Sequence, residues 1–317
     1  MKPSERYVTF PPMGKRGTKV IKKFLENLDL KVVMPQPTTD ETIKRGAEHC
    51  ANMACFPLKV TLGNYMDALD EKANTLLSYD TQGMCRFRMY NKLHEHALTT
   101  MGYDFEMRVL NPNNIIRELH EISGKSRMKI AKELWKGYKN IKKADTEVQQ
   151  WSEEKPNIGI IGEIYCCIDE KANQGIEEKV KKYGCNPFNT STTTEFMDEK
   201  IPIFSLWGLS NLFRKDELKP FKKEAKKYME GWKAGHAYEN LYNLLYLADK
   251  KVDGILHVLP LSCMPETTIE PYIDDICRKN KIPLLRVPLD ENSAEANLET
   301  RLETFCELIK IRRKKYG

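Results

Sequence analysis

Residues 254–288 read GILHVLPLSCMPETTIEPYIDDICRKNKIPLLRVP, and they contain the pattern that decides the fold. The apolar runs at 254–259 and 284–287 have the length and composition of buried strands. Between them lies an amphipathic segment whose helix is predicted to begin near Cys263. A strand, a helix and a second strand in this order favour an α/β unit with parallel strands.

The same alternation runs through the rest of the chain, which indicates an internal repeat. In the first half, a strand, a glycine-bearing loop and a helix at 18–28 lead into the next strand. In the second half, a loop that begins at Gly162 and a helix at 172–183 occupy the same place. The predicted strands are 6–10, 31–34, 75–79 and 105–110, then 157–161, 185–188, 254–259 and 284–287. We therefore predict two doubly wound α/β domains that form a pseudo-repeat.

The domain boundaries follow from the segments that lack strand patterns. Residues 1–112 are predicted to form the first α/β domain, and residues 113–155 a charged helical connector. Residues 156–317 form the second α/β domain, with a helical insertion at about 204–232 and a C-terminal helix at 294–315.

Composition limits the classes of function. The chain has 317 residues with a net charge of +6, and its basic residues are dispersed along predicted helices. This dispersion argues against a nucleic-acid surface, because no motif or aromatic interleaving accompanies it. The N-terminus lacks the apolar stretch of a signal peptide, and no run reaches the roughly 18 apolar residues of a membrane span. We therefore expect a cytoplasmic protein that binds neither nucleic acid nor membrane.

The nine cysteines do not read as a disulfide framework. Their number is odd, and no Cys-x-x-Cys pair suggests a zinc knuckle. A metal site would have to be assembled from distant segments. Cys185, Cys277 and Cys306 lie among apolar neighbours on predicted elements, where a buried thiol behaves as a small hydrophobic side chain.

Three other cysteines share one local setting. Cys55, Cys85 and Cys263 each come directly before a predicted helix, and Pro57 and Pro265 give two of them a Cys-x-Pro pattern. Proline is common at the start of a helix, where its missing N–H costs nothing. The sulfur atoms would then lie beside helix N-termini, which favour a thiolate or an anionic metal–sulfur cluster.

Several neighbouring residues allow two interpretations. Cys50 precedes Cys55 in a Cys-x4-Cys spacing. Either Cys166 or Cys167 would enter a cleft, or both would be core contacts. Lys59 and Arg86 would either balance the charge of a cluster or substrate, or simply belong to solvated helix faces. The histidines form no zinc pattern, and His94 and His96 are expected on the surface.

These motifs resemble one family along nearly the whole chain. The family comprises the iron–sulfur proteins related to the subunits of 2-hydroxyacyl-CoA dehydratase and benzoyl-CoA reductase, the CoA-enzyme-activase-associated group. The segments that carry the resemblance are TFPPMG (9–14), ACFPLK (54–59), GMCRF (83–87), GEIY (162–165), PLSCMPE (260–266) and residues 290–303.

The resemblance implies two Rossmann-like domains and a [4Fe-4S] cluster whose ligands are Cys55, Cys85 and Cys263. Lys59, Arg86 and Glu163 would surround that cluster. It also implies anaerobic electron-transfer chemistry in which an ATP-dependent activase of the actin and sugar-kinase fold reduces the cluster. Three cysteines on four irons leave one iron for another ligand or for a substrate oxygen.

Alternatives remain at this stage. A double-cubane [8Fe-9S] reductase of small molecules would need further thiolates, for which Cys50 and Cys166 or Cys167 would serve. The chain is either a component of a dehydratase-like or reductase enzyme, or an electron-transfer subunit. In either role it would act alone, as a homodimer or with a homologous subunit. A different class is a non-redox, two-domain protein that binds a small anion.

Overall fold

The computed structural model describes residues 2–34, 37–80, 85–148, 150–200, 217–229 and 235–316, which divide into two compact units. The first unit takes its described residues from 1–82, 86–145 and 193–213, and the second from 83–85, 146–192 and 214–317. Each unit contains one four-stranded parallel sheet. Within the described ranges, no helix is long and apolar enough to cross a membrane.

The first unit alternates strands with helices, as the apolar pattern predicts. Its elements are β1 (Tyr7–Thr9), α1 (Gly14–Glu26), β2 (Lys31–Val32), α2 (Asp40–Glu48), α3 (Phe56–Asp70), β3 (Thr75–Tyr79), a 3₁₀-helix (Arg86–Met89), α4 (Tyr90–Thr100), β4 (Glu106–Leu110), α5 (Ile115–Ser123) and α6 (Arg127–Val148). Helices cover both faces of its sheet. One apolar cluster contains Leu77 and residues of α1, α5 and α6, and another contains Leu76 and residues of α3 and α4.

The second unit repeats the plan with longer strands. Its elements are β5 (Asn157–Gly162), α7 (Ile164–Ile168), α8 (Ile176–Lys182), β6 (Asn186–Asn189), α10 (Lys219–Met229), α11 (Ala237–Asp249), β7 (Gly254–Pro260), α12 (Met264–Lys279), β8 (Leu284–Leu289) and α13 (Glu295–Tyr316). The intervening helix α9 (Thr193–Lys200) belongs to the first unit.

The strand orders confirm the predicted α/β pseudo-repeat. They are β2-β1-β3-β4 and β6-β5-β7-β8, and every pair is parallel. All eight predicted strands are present, with ends shifted by at most a few positions. Each sheet therefore has the same switch in strand order, between its first and third strands in chain order.

Two helical expectations need adjustment. The helix expected at 172–183 begins only at Ile176, because Gly175 precedes it with a left-handed backbone (φ 69°), and the short helix α7 lies before it. Most of the insertion expected at about 204–232 lies outside the described residues, and α10 lies within that segment.

The topology places two of the predicted cysteines at equivalent sheet positions. Cys85 follows β3, and Cys263 follows β7, which are the third strands of the two sheets. In open parallel sheets, ligands bind beyond the carboxyl ends of strands at such a switch point. Cys55 precedes α3, the helix that leads into β3.

Close helix packing holds α3 in place. A Cβ atom at Gly46 would collide with the carbonyl oxygen of Lys59, and one at Gly63 would collide with that of Thr42. Since the colliding atoms belong to the backbone, neither collision is relieved by a side-chain rotation. Glycine at both positions therefore lets α2 and α3 approach closely enough to fix α3, whose first residue follows Cys55.

We predict that Gly46→Ala lowers the free energy of unfolding by about 2 kcal/mol or more, because the helices must separate to admit the methyl group. Gly137→Ala on α6 is the matched control. Its Cβ would lie 3.9 Å from the Cβ of Phe24, an ordinary contact, so helix propensity should raise stability by up to about 1 kcal/mol. Denaturant unfolding of both variants measures the difference, and equal effects would contradict the packing argument.

Candidate functional site

Cys55 and Cys263 occupy the same local geometry. Each is the residue before the first turn of a helix, with extended backbone angles of φ −63°, ψ 137° at Cys55 and φ −67°, ψ 114° at Cys263. Pro57 and Pro265 lie in the first turns of these helices. Neither cysteine side chain accepts a capping hydrogen bond from its helix. The sequence prediction of two matched helix starts is therefore confirmed.

Cys85 comes before the 3₁₀-helix that leads into α4. Within the second unit it lies close to the helix start of Cys263, with Gly235 beside both. A Cβ atom at Gly235 would lie 3.5 Å from the Cβ of Cys85 and 2.9 Å from the Cγ of Pro265. A side chain at position 235 would therefore press on Pro265 and make an ordinary contact with Cys85. The structure thus brings Cys85 near the first turn of α12.

Lys59 and Arg86 hold the segment that precedes Cys55. Lys59 is only 2% exposed, and its Nζ donates a hydrogen bond to the carbonyl oxygen of Asn52 at 2.9 Å. Arg86 donates from Nη1 to the carbonyl oxygen of Met53 at 3.1 Å. The solvated-face interpretation is therefore wrong for Lys59. Both cations bind backbone oxygens within three residues of Cys55.

His94 is buried, in contrast to the surface position expected for it. It is 2% exposed, and its Nε2 lies 3.2 Å from the carbonyl oxygen of Leu58 and 3.1 Å from Oγ1 of Thr61. Because a carbonyl oxygen only accepts, Nε2 carries the proton. Burial lowers the pKa of His94 to about 4, so the ring is neutral at pH 7. It ties α4 to the first turns of α3, close to Cys55.

The additional cysteines named for a second cubane are packed in the two units. Cys50 is half-buried against the apolar cluster that includes Leu62 and Tyr65. Cys166 and Cys167 are buried in α7. Burial raises the pKa of the Cys167 thiol well above its usual value, which favours the protonated form.

A buried polar network joins the end of β5 to the start of α12, and sequence reasoning did not identify it. Asn240 accepts from the Gly162 N–H at 2.8 Å and donates to the Gly162 carbonyl at 3.0 Å. Its Nδ2 also lies 2.9 Å from both carboxylate oxygens of Glu266. Glu266 is 1% exposed and also accepts from Nε2 of His257 at 2.8 Å.

The network fixes the helix that Cys263 begins. Glu266 is the third residue of α12, so its hydrogen bonds with Asn240 and His257 hold the first turn against α11 and β7. A buried carboxylate is costly unless such donors satisfy it. Asn240 and His257 carry no distinctive motif. The one feature of the sequence that pointed to this network was the acidic residue three positions after Cys263.

Glu163 lies beside this network. Its Oε2 accepts a hydrogen bond from the Cys166 N–H at 2.9 Å. Burial raises the pKa of Glu163, the N–H groups of Cys166 and Tyr165 oppose that rise, and the negative charge of Glu266 adds to it. Glu163 therefore caps α7, and its surroundings favour uptake of a proton more than those of an ordinary glutamate.

The cysteines have the right chemistry for an iron–sulfur cluster. All nine are thiols rather than disulfides, and thiolates are the ligands by which proteins hold such clusters. In the part of the chain that the structure describes, no group of three or more His, Cys, Asp or Glu side chains is arranged to hold a single metal ion. The ligands of a cubane bind different irons, so they lie farther apart than ligands that share one ion.

Two family models match separate parts of the chain. Residues 16–78, which run from α1 into β3 and include Cys55, match the CoA enzyme activase uncharacterised domain. Residues 196–309, which include Cys263, match the 2-hydroxyglutaryl-CoA dehydratase, D-component. No curated protein matches the chain. The two matches confirm the predicted resemblance to the 2-hydroxyacyl-CoA dehydratase-related proteins, because one segment of the chain is similar to the activase domain and another to the dehydratase D-component.

Proposed function

We propose that this chain is an iron–sulfur protein that receives low-potential electrons from an ATP-dependent activase and uses them in dehydratase- or reductase-like chemistry or passes them on. The observation that carries the proposal is the matched geometry of Cys55 and Cys263. One lies in the segment that matches the activase-associated domain and the other in the segment that matches the D-component. The D-component family binds iron–sulfur clusters.

On this proposal Cys55, Cys85 and Cys263 hold a [4Fe-4S] cluster, which supplies one-electron transfer at low potential when bound. The closeness of Cys85 and Pro265 to Gly235 supports the pairing of Cys85 with Cys263. Helix N-termini next to Cys55 and Cys263 favour the negative charge that thiolates bring.

The surrounding residues have positioning roles in this proposal. Lys59 and Arg86 hold the carbonyl groups of Asn52 and Met53, and so fix the approach of the chain to Cys55. The hydrogen bonds of Glu266 with Asn240 and His257 fix the first helical turn that follows Cys263. Ligands fixed in advance lose less conformational entropy when they bind a metal centre.

The match at residues 16–78 supports an activase as the electron donor. We predict that a purified activase, supplied with MgATP and a reductant under anaerobic conditions, reduces this chain, because ATP hydrolysis supplies the free energy for transfer at low potential. Electron paramagnetic resonance after rapid freezing would measure the reduced chain. A non-hydrolysable ATP analogue should prevent reduction, and reduction that is equally fast with the analogue would contradict an ATP-driven step.

We predict that anaerobically purified protein is brown and contains about four irons and four sulfides per chain. Cys55→Ser, Cys85→Ser and Cys263→Ser should each lose at least about half of this iron, because each removes a thiolate ligand. Iron and sulfide analysis measures the loss. About twice the iron of a single cubane in the wild type would instead indicate the double-cubane alternative.

Cys277→Ser is the matched control for these variants. Cys277 lies on the same helix as Cys263, near its other end, and packs in the core of the second unit, where burial raises the pKa of its thiol to about 12. It should keep its iron even if it is less stable. A wild-type protein that is colourless and resists reconstitution would exclude the cluster and leave the anion-binding alternative.

We predict that Lys59→Met makes the cluster easier to lose without removing a ligand. Methionine fills similar space but does not donate to the Asn52 carbonyl, so the segment before Cys55 is held less firmly. Loss of iron to a chelator should become about 10-fold faster, the usual size of an effect from a residue that supports a ligand. Lys44→Met, at an exposed position on α2, is the control. Equal rates in the two variants would remove Lys59 from this role.

A further inference from the structure

Two thiols of the second unit lie against each other in its core, and we call them the thiol pair. Cys185 directly precedes β6, and Cys306 lies near the middle of α13. They are 1% and 0% exposed. The Sγ atom of Cys185 lies 4.0 Å from the carbonyl oxygen of Cys306, and the two thiols are hydrogen bonded to each other. Residues 121 positions apart in the sequence therefore bring their sulfur atoms together.

Neighbouring contacts hold α13 in the position that forms the thiol pair. A Cβ atom at Gly254, where β7 begins, would lie 2.8 Å from Cδ1 of Ile309 and 3.0 Å from Cζ of Phe305, so glycine lets α13 pack closely on this strand. Lys182 of α8 pairs with Glu299 of α13, with Nζ and Oε1 2.6 Å apart. These contacts lie on both sides of the pair's cysteine in α13, and they fix the face of the helix that meets β6.

The two thiols differ in acidity. A hydrogen bond from the Cys306 thiol lowers the pKa of Cys185, burial opposes this change, and the positive charge of Lys310 adds to it. The same hydrogen bond, together with burial, raises the pKa of Cys306. The thiolate is the form of cysteine that attacks oxidants and disulfides. Cys185 is therefore the member of the pair that reacts first.

The thiol pair lies directly beneath the surface of the second unit. Gly184, next to Cys185, is exposed and has a left-handed backbone with φ 80°. A Cβ atom at Gly184 would lie 3.9 Å from Cδ of Lys310, so the stem of this half-buried lysine lies beside the turn. A lysine stem is flexible and keeps its charged end in water. A small oxidant needs only its displacement to approach Cys185.

We propose that Cys185 and Cys306 are a reversible redox-modification site, at which a two-electron oxidant such as hydrogen peroxide converts both thiols into a disulfide. The Cys185 thiolate attacks a peroxide oxygen, the O–O bond breaks, and a sulfenic acid and hydroxide form. The Cys306 sulfur then displaces the sulfenic hydroxyl group, which leaves as water. In sum the thiols lose two electrons and two protons, and the peroxide is reduced to two waters. A small dithiol restores the thiols by exchange.

The thiol pair and Cys263 lie at opposite edges of the second sheet. All strands of this sheet are parallel, Cys185 comes before β6, and Cys263 follows β7. The amino ends of parallel strands share one edge and the carboxyl ends share the other. Oxidation of the pair therefore leaves Cys263 as it was and ties α13 to β6. This inference goes beyond the proposed function and does not depend on a cluster.

The experiment is peptide mapping of the wild-type protein, which needs no substituted chain. Anaerobically purified protein is treated with a few equivalents of hydrogen peroxide, alkylated in denaturant and digested with trypsin. The tryptic segments 183–200 and 302–310 each contain a single cysteine. We expect these two segments joined, with a mass lower by two hydrogen atoms than their sum, and separated again by dithiothreitol. Segment 183–200 that stays alkylated, or joins other cysteine segments equally often, would overturn the proposal.

A charge variant tests the order of the two steps. Lys310→Gln removes the positive charge that favours the Cys185 thiolate, so the joined peptide should form about 2-fold or more slowly. Lys314→Gln is the matched control, because it removes an exposed charge one turn farther along α13. It should react at the wild-type rate. Equal rates in the two variants would overturn the step in which Cys185 reacts as the thiolate.

Amide hydrogen exchange measures the tie between α13 and β6. Exchange in residues 302–310 should slow by about 10-fold or more after oxidation, because a disulfide that closes a long loop restricts opening. Oxidised Cys277→Ser should show the same slowing, since Cys277 packs elsewhere in the core, and Cys306→Ala should show none. Exchange that oxidation leaves unchanged in the wild type would overturn the tie.

The same samples separate this inference from the proposed function. Protein without iron that still forms the joined peptide would overturn the cluster and leave the thiol pair as a redox site. Protein with about four irons per chain that forms no joined peptide would overturn the redox site alone.

Discussion

The parallel pairing of β1 with β3 and of β5 with β7 is the constraint on which both units depend. Parallel strands bring their carboxyl ends to one edge of the sheet, so the segments that follow them begin at that same edge. This is why Cys85 and Cys263, separated by a large part of the sequence, stand at equivalent sheet positions. Sheet topology determines the location of both cysteines, and at Cys263 the local Cys-x-Pro pattern determines only that a helix begins there.

The two units hold their helices by different means. In the first, Gly46 and Gly63 let the backbones of α2 and α3 touch, and the half-buried Arg45 of α2 pairs with Asp67 of α3 beside that contact. In the second, Asn240 joins the end of β5 to Glu266 at the start of α12. Hydrogen bonds in a buried polar network of this kind help to specify one arrangement of the elements that they join. The repeat thus preserves the topology while the interactions that enforce it have diverged.

The pairing of β5 with β7 also requires glycine at position 162, where the end of β5 meets the network around Asn240. Gly162 has a positive φ of 147°, and a Cβ there would collide with the backbone of Val258, its partner across the two strands. Only glycine satisfies both demands. The carbonyl and N–H of Gly162 then meet Asn240, so the strand end and the network are one structural feature.

Much of the fold could be predicted because it is encoded locally. Apolar runs of strand length located all eight strands, and the residues around Cys55 and Cys263 located two helix starts. Burial of polar side chains could not be predicted in the same way. Lys59 and His94 look like surface residues because their partners, Asn52 and Leu58, are backbone carbonyls that carry no sequence signature.

The network around Glu266 escaped prediction for a related reason. Asn240 and His257 lie on different elements, and neither residue has a local pattern that indicates a buried partner. Their association depends on the order of β5, β7 and α11 in space. Such contacts follow from the tertiary structure, so a single sequence does not reveal them.

The residue at the fourth iron would decide how much negative charge the proposed site carries. A thiolate adds one negative charge, whereas a neutral imidazole adds none, and histidine ligation raises the potential of Rieske centres relative to centres with cysteine alone. The helix N-termini beside Cys55 and Cys263 act in the same direction, because they stabilise the more negative, reduced state. A site whose fourth ligand is neutral would therefore accept an electron more readily than one with four thiolates.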